Sequence, residues 1–168
     1  MISFITTASA DDLLAIMDII SAVILQMESE GIHQWDAVYP DAAKFSEDIN
    51  QHALWVMKRD AELIAVMALN EEQADAYADI NWHYPVDRVL VVHRLAVHPS
   101  QQGRGVAQQM MIYAENFARA EGYQAIRLDA FLENPRAVRL YEQQGYEKAG
   151  LLQFRKGKFW AFEKKISG

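Results

Sequence analysis

Residues 98–107 read HPSQQGRGVA and join a predicted strand, residues 88–97, to a predicted helix that starts at Val106. The two glycines, Gly103 and Gly105, allow a sharp turn in which the backbone can approach a ligand without a Cβ in the way. The helix that follows directs unpaired backbone N–H groups and a partial positive charge toward the same place. The turn is therefore predicted to cradle an anionic group such as a phosphate or a pyrophosphate.

The residue spacing around the turn distinguishes between known classes of phosphate-binding motif. A P-loop ends in Gly-Lys-Ser/Thr, whereas this chain has Gly105-Val106-Ala107. A dinucleotide-binding fingerprint requires a glycine or alanine three residues after the second glycine, and Gln108 stands there. What remains is the pattern Q-x-x-G-x-A, formed by Gln102, Gly105 and Ala107. On this pattern alone, a plain strand-to-helix turn stays an alternative.

A second block lies one predicted strand further along the chain. Residues 134–146 read NPRAVRLYEQQGY, in which Asn134 suits an N-cap, Pro135 suits the first position of a helix and Gly145 ends it. Together the two blocks resemble the Q/R-x-x-G-x-G/A and N-x-x-A-x-x-L/F-Y-x-x-x-G-F/Y elements of the GNAT acetyltransferases. The closing stretch, residues 150–164, also resembles bacterial members of that family. The resemblance is strong over residues 88–150 and holds only in outline before them.

The apolar pattern predicts the other elements. Strands are predicted at residues 2–6, 54–57, 63–69, 88–97, 125–131, 146–154 and 159–166. Helices are predicted from Leu13 to Gly31, over 41–52, from Val106 to Gly122 and from Pro135 to Gly145. This order implies a mixed α/β sheet, and the resemblance implies the GNAT fold, with about seven twisted strands, about four flanking helices and two splayed parallel strands. No linker divides residues 1–168, so a single domain is predicted.

The composition is that of an ordinary globular protein, with 51% hydrophobic and 23% charged residues. A net charge of −7 disfavours binding to nucleic acid or to an anionic membrane surface. The absence of cysteine excludes disulfides, thiolate metal sites and a cysteine nucleophile. The first residues lack the positive charge of a secretory signal, and polar residues interrupt the longest apolar region, residues 13–27. The expectation is a soluble cytoplasmic protein with no metal ion.

The resemblance implies which residues bind acetyl-coenzyme A, the cosubstrate of the family. The strand before the turn would offer main-chain groups to the pantetheine arm, and the amides of the turn would bind the pyrophosphate. Arg104 would pair with phosphate, although solvation explains an exposed arginine equally well. Asn134 would reach the cofactor, although its N-cap role accounts for it too. The predicted cofactor-binding residues are Leu95, Ala96, Val97, Gln102, Gly103, Arg104, Gly105, Val106, Ala107 and Asn134.

The resemblance gives Tyr141 a catalytic role, because the family places a tyrosine hydroxyl here near the thioester sulfur. The leaving thiol has a pKa of about 8.5 and an unperturbed phenol about 10, so full proton transfer is uphill by roughly 2 kcal/mol. A hydrogen bond to the developing thiolate would already assist its departure. The alternative is a structural aromatic side chain on a buried helix face.

The acceptor amine must lose a proton, which costs about 4.6 kcal/mol at pH 7 for a pKa of about 10.4. His93, on the strand before the turn, is the first candidate for the general base, since an imidazole titrates near pH 6.5. Arylalkylamine acetyltransferases resemble this stretch and carry a histidine at the matching place in a His-x-Leu-Ala-Val string. Asp129 and Glu133 are the acidic alternatives, and Asp129 is expected to pair with Arg127, Arg94 or nearby backbone.

Aromatic residues cluster in segments that the family uses around its acceptor, and they predict a hydrophobic or cation-binding surface. Trp35, Tyr39 and Phe131 are the predicted substrate-binding residues, with a core role as the alternative. The function predicted from the resemblance is transfer of an acetyl group from acetyl-coenzyme A to a small primary amine by direct attack. A protein- or peptide-modifying acetyltransferase and a non-catalytic acyl-coenzyme A-binding protein are the alternatives, and a homodimer stays open.

Overall fold

The computed structural model describes residues 2–166 and contains seven strands and four α-helices within them. The strands are β1 (Ser3–Thr7), β2 (Leu54–Arg59), β3 (Glu62–Asn70), β4 (Val89–Val97), β5 (Ala125–Phe131), β6 (Glu147–Phe154) and β7 (Gly157–Lys165). The helices are α1 (Leu13–Ser29), α2 (Ala42–Asn50), α3 (Val106–Ala120) and α4 (Pro135–Gln143), and short 3-10 helices cover Ala10–Asp12, Asp75–Asp79 and Pro99–Gln101.

The strands form a sheet in the order β1-β2-β3-β4-β5-β7-β6. The pairings of β1 with β2, β2 with β3, β5 with β7 and β6 with β7 are antiparallel. β4 and β5 are parallel, with Val89 opposite Ala125 and Val91 opposite Arg127. The mixed α/β sheet predicted from the sequence is confirmed, while the splaying of β4 and β5 stays a prediction.

Backbone contacts group the chain into two compact units. Unit 1 is the chain up to Leu69 together with His93–Tyr113. A capping box starts its first helical segment, because Asp12 Oδ2 accepts a hydrogen bond of 2.9 Å from the Ser9 backbone N–H. The core of unit 1 is apolar and includes Ile16, Ile20, Phe45, Val56, Met67 and Met110. These side chains fix the strands and helices that lead into the glycine-rich turn.

Unit 2 is Asn70–Val92 together with the chain from Ala114 onward. Helix α4 begins as predicted, since the Asn134 side chain accepts a hydrogen bond from the Ala137 backbone N–H and Pro135 occupies the first turn. The core of unit 2 includes Ile126, Leu128, Ala130, Phe131, Ala161 and Phe162. The segment after β3 contains the 3-10 helix Asp75–Asp79.

Among residues 2–166 there is no helix with the length and apolar character that crossing a membrane requires.

Candidate active site

The glycine-rich turn of unit 1 connects β4 to α3 through the 3-10 helix Pro99–Gln101. The side chain of Gln102 stabilises the start of this turn. Its amide N–H donates to the Val97 carbonyl (3.1 Å), and its amide oxygen accepts from the Gln26 side chain (2.8 Å). Gly103 and Gly105 then adopt φ angles of +74° and +78°, in the left-handed region that side chains disfavour. The sequence therefore has glycine where the backbone conformation requires it.

The same turn suits a bound anion. A Cβ on Gly103 would meet no atom within 4 Å, and one on Gly105 would meet only Gln108 Oε1 at 4.0 Å, so the space in front of both glycines is open. The first backbone amides of α3 lack partners within the helix, and the helix start carries a partial positive charge. Successive backbone N–H groups in such a turn can also form an anion-binding concavity. These residues fit a pyrophosphate, while the contact of the exposed Arg104 with phosphate stays a prediction.

Strand β4 has an unusual backbone one residue before the predicted pantetheine-binding segment. Arg94 has a φ of +52°, which is rare for a non-glycine residue and costs about 1–3 kcal/mol. Its guanidinium donates to both Asp48 carboxylate oxygens, at 2.8 and 2.7 Å, and to the Tyr39 hydroxyl at 2.9 Å. These bonds hold the backbone in its strained conformation immediately before the predicted cofactor-binding residues Leu95, Ala96 and Val97.

Sequence reasoning missed the role of Asp48. Along α2 the structure buries Phe45 and Asp48 and leaves Ile49 partly exposed. Burial raises the pKa of the Asp48 carboxyl, and the Arg94 guanidinium opposes that rise. A lone arginine within the apolar β4 sequence is the signal that predicts a buried partner of opposite charge.

The other site residues predicted in unit 1 lie near this ion pair or in the neighbouring segment. His93 is half-buried on β4, next to Arg94. Tyr39 is 38% exposed, and its hydroxyl accepts the hydrogen bond from Arg94. Trp35 is half-buried in the segment between α1 and α2. Contacts of these three residues with substrate stay predictions.

Tyr141 lies on the buried face of α4 in unit 2. Its ring packs against Phe162 at a centroid distance of 5.7 Å and against Tyr146 at 6.0 Å. Burial, reinforced by the negative charge of Asp129, raises the pKa of the Tyr141 phenol well above its ordinary value. The phenol is therefore protonated at neutral pH and available as a hydrogen-bond donor.

Asp129 on β5 has a different partner from those predicted. Its Oδ2 accepts a hydrogen bond of 2.6 Å from the Tyr77 hydroxyl, whereas Arg94 pairs with Asp48 and Arg127 bonds to Gln73 and to the Tyr84 carbonyl. Burial raises the pKa of the Asp129 carboxyl, and the bond from Tyr77 lowers it. Burial also raises the pKa of Tyr77 well above its ordinary value. The sequence carried no signal for Tyr77, because it lies in a segment without regular periodicity.

The remaining predicted residues of unit 2 have clear structural roles. Asn134 caps α4, and Phe131 is 1% exposed with its ring 5.1 Å from that of Phe159. The structure thus gathers two groups of predicted residues. Unit 1 holds the glycine-rich turn and the end of β4, and unit 2 holds Tyr141 with Asp129, Tyr77 and Asn134.

A strand, a turn with two left-handed glycines and a following helix start are typical of proteins that bind an anionic, nucleotide-like ligand. The sequence model of the acetyltransferase (GNAT) family matches residues 22–146. This match covers more than half of the chain, so the protein belongs to the GNAT acetyltransferase family.

Individual proteins show the same relationship. An uncharacterised N-acetyltransferase of Methanocaldococcus jannaschii is 29% identical over 97 residues, which are 56% of this chain and 43% of that protein. The matched part therefore spans less than half of this relative. A GNAT-family acetyltransferase from Streptococcus agalactiae has a similar structure, with a TM-score of 0.86 at 23% identity over 99% of this chain and 96% of that chain.

The PaiA N-acetyltransferase of Thermoplasma acidophilum, solved in complex with coenzyme A, has a TM-score of 0.74 at 16% identity, over 98% of this chain and 99% of that chain. The two structural likenesses confirm the GNAT fold.

Proposed function

We propose that this protein transfers an acetyl group from acetyl-coenzyme A to a small primary amine by direct attack of the amine on the thioester. The observation that carries the proposal is the turn with two left-handed glycines before α3, whose open side suits a pyrophosphate. The coenzyme A bound to the Thermoplasma relative supports the same ligand class. Direct attack is preferred to an acyl-enzyme because the sequence has no cysteine to carry the acetyl group.

In this proposal Tyr141 stabilises the sulfur of coenzyme A as it leaves. Attack forms the bond from nitrogen to the carbonyl carbon, the carbon–sulfur bond then breaks, and the sulfur leaves as a thiolate. The protonated Tyr141 phenol donates a hydrogen bond to that thiolate. Because the pKa of the phenol is raised, complete proton transfer is less favourable than for an ordinary tyrosine, and stabilisation by hydrogen bonding is its main contribution.

The first experiment measures release of free thiol from acetyl-coenzyme A with a panel of small amines and lysine-containing peptides. We expect release only when an amine is present, and faster release with small amines. Preference for peptides would favour the protein-modifying alternative. Coenzyme A binding without turnover on either set would favour a non-catalytic binding protein, and a burst of thiol without acceptor would contradict direct attack.

Replacing Gly105 with Ala is expected to weaken acetyl-coenzyme A binding. A side chain at a φ of +78° strains the turn, and its Cβ projects into the open space proposed for the pyrophosphate. Loss of one or two charge-assisted hydrogen bonds corresponds to a rise of about 10- to 100-fold in the KM for acetyl-coenzyme A.

The matched control for Gly105→Ala is Gly31→Ala at the end of α1, where φ is +77° and a Cβ meets no atom within 4 Å. Both variants should lose about 1–2 kcal/mol of stability from the left-handed backbone, and only Gly105→Ala should change the KM. Equal KM values in the two variants would refute a pyrophosphate at the turn.

His93 is the proposed general base for the amine. Since a base acts in its neutral form, kcat/KM of the wild type should rise with pH through the range around pH 6.5 where an imidazole titrates. His93→Ala should lower kcat/KM and remove that rise. The control is His52→Asn, which should keep the wild-type pH profile. His52 is exposed, and asparagine tolerates its φ of +54°. A pH rise that survives in His93→Ala would assign proton removal to water or a carboxylate.

A further inference from the structure

A carboxylate in unit 2 lacks a cationic partner. The Asp129 side chain accepts one hydrogen bond, from the Tyr77 hydroxyl at 2.6 Å, and within the described residues this carboxylate forms no other hydrogen bond and no ion pair. Asp129 is half-buried, on β5. A carboxylate withdrawn from water in this way is costly unless a cation or several donors stabilise it.

The arginine two residues away does not supply that cation. Arg127 donates from Nη1 to the Gln73 side chain at 2.7 Å and from Nη2 to the Tyr84 carbonyl at 3.3 Å. Its guanidinium also stacks 4.1 Å above the ring of Trp82. These contacts direct the guanidinium to the segment that follows β3, so the charge of Asp129 stays unbalanced.

A purely structural role explains the hydrogen bond between Tyr77 and Asp129 but does not explain the charge. The amide oxygen of an asparagine would accept the same bond, and burying a neutral amide costs less than burying a carboxylate. The negative charge of Asp129 also acts on Tyr141, because it contributes to the raised pKa of that phenol. A charged group kept at such a cost points to a role in ligand binding.

We propose that Asp129 binds the acceptor as its ammonium ion, so that the protein selects small primary amines that are cationic at neutral pH. This inference rests on the proposed acetyl transfer and names the class of acceptor for that reaction. An ammonium group brings three N–H donors, and one of them satisfies the carboxylate oxygen that Tyr77 leaves free. Before attack, one proton of the bound ammonium passes to the base, which makes the nitrogen lone pair available.

The test compares the wild type with Asp129→Asn. The asparagine keeps an acceptor for Tyr77 and removes the charge, so we expect the KM for n-butylamine to rise about 10- to 100-fold, as for the loss of a charge-assisted hydrogen bond. The KM for acetyl-coenzyme A should stay the same, and the Tm without ligands should stay the same or rise. Asp79→Asn, an exposed carboxylate on the 3-10 helix that carries Tyr77, is the matched control and should change none of these values. An unchanged KM for n-butylamine in Asp129→Asn would overturn the proposal.

A binding measurement separates this inference from the proposed function. Calorimetry of the wild type saturated with coenzyme A should show binding of n-butylamine and weaker or no binding of n-butanol. Equal binding of the two compounds, or no binding of the amine, would overturn the ammonium site whether or not Asp129→Asn folds. Thiol release with other acceptors would then leave the acetyltransferase proposal intact. Amine binding without thiol release would support the ammonium site and count against acetyl transfer.

Discussion

Replacing Tyr141 with Phe is expected to lower kcat by about 100- to 1,000-fold, the range of a proton donor or strong hydrogen-bond donor in the transition state. The thiolate that leaves acetyl-coenzyme A carries charge only as the carbon–sulfur bond breaks, so the lost hydrogen bond affects turnover more than binding. The KM for acetyl-coenzyme A should therefore change little. The measurement is steady-state thiol release with the best amine of the panel, over a range of pH.

The pH dependence of this comparison follows from the raised pKa of Tyr141. Burial and Asp129 favour the neutral phenol, so Tyr141 keeps its proton beyond the pH at which an ordinary tyrosine ionises, about 10. Any fall in wild-type rate on the alkaline side below that pH therefore has another origin, and Tyr141→Phe should show the same fall.

Tyr146→Phe is the control for Tyr141→Phe. The ring of Tyr146 lies 6.0 Å from that of Tyr141, and its hydroxyl donates to Glu115 at 3.4 Å. Both variants lose one buried phenol oxygen, so they are similar in packing and differ in their proposed chemistry. A wild-type kcat in Tyr141→Phe, or an equal loss in both variants, would contradict the role of Tyr141 at the sulfur.

The sequence predicts the parts of the protein whose requirements are local. Gly103 and Gly105 are needed because the backbone itself is left-handed there, and Asn134 and Pro135 are needed because a helix starts there. Such requirements involve neighbouring residues, so they leave a pattern that can be read along the chain. This is why the two motif blocks, the boundaries of α4 and the mixed sheet were predicted correctly.

The buried polar contacts could not be predicted in the same way. Asp48 and Arg94 are 46 residues apart, and Tyr77 and Asp129 are 52 apart. Periodicity indicates whether a residue faces inward, but the identity of its partner depends on which elements become neighbours in the fold. The sequence therefore predicts the turn proposed to bind the cofactor, whereas only the structure identifies these polar contacts.

Replacing Asp48 with Asn is expected to lower the free energy of unfolding by about 3–5 kcal/mol, the usual cost of removing one partner from a buried ion pair. The side chains of Arg94 and Asp48 are only 4% and 1% exposed, and a guanidinium cannot release its proton to avoid the buried charge. Urea denaturation measures this loss.

The control is Glu47→Gln on the same helix. Glu47 pairs with Lys44 at 3.5 Å, and its side chain is 51% exposed. Such surface ion pairs contribute about 0.5 kcal/mol. Because the bonds of Arg94 also hold the strained backbone before Leu95, Asp48→Asn should raise the KM for acetyl-coenzyme A as well. A loss of stability as small as that of Glu47→Gln would show that the strained conformation of β4 does not depend on this ion pair.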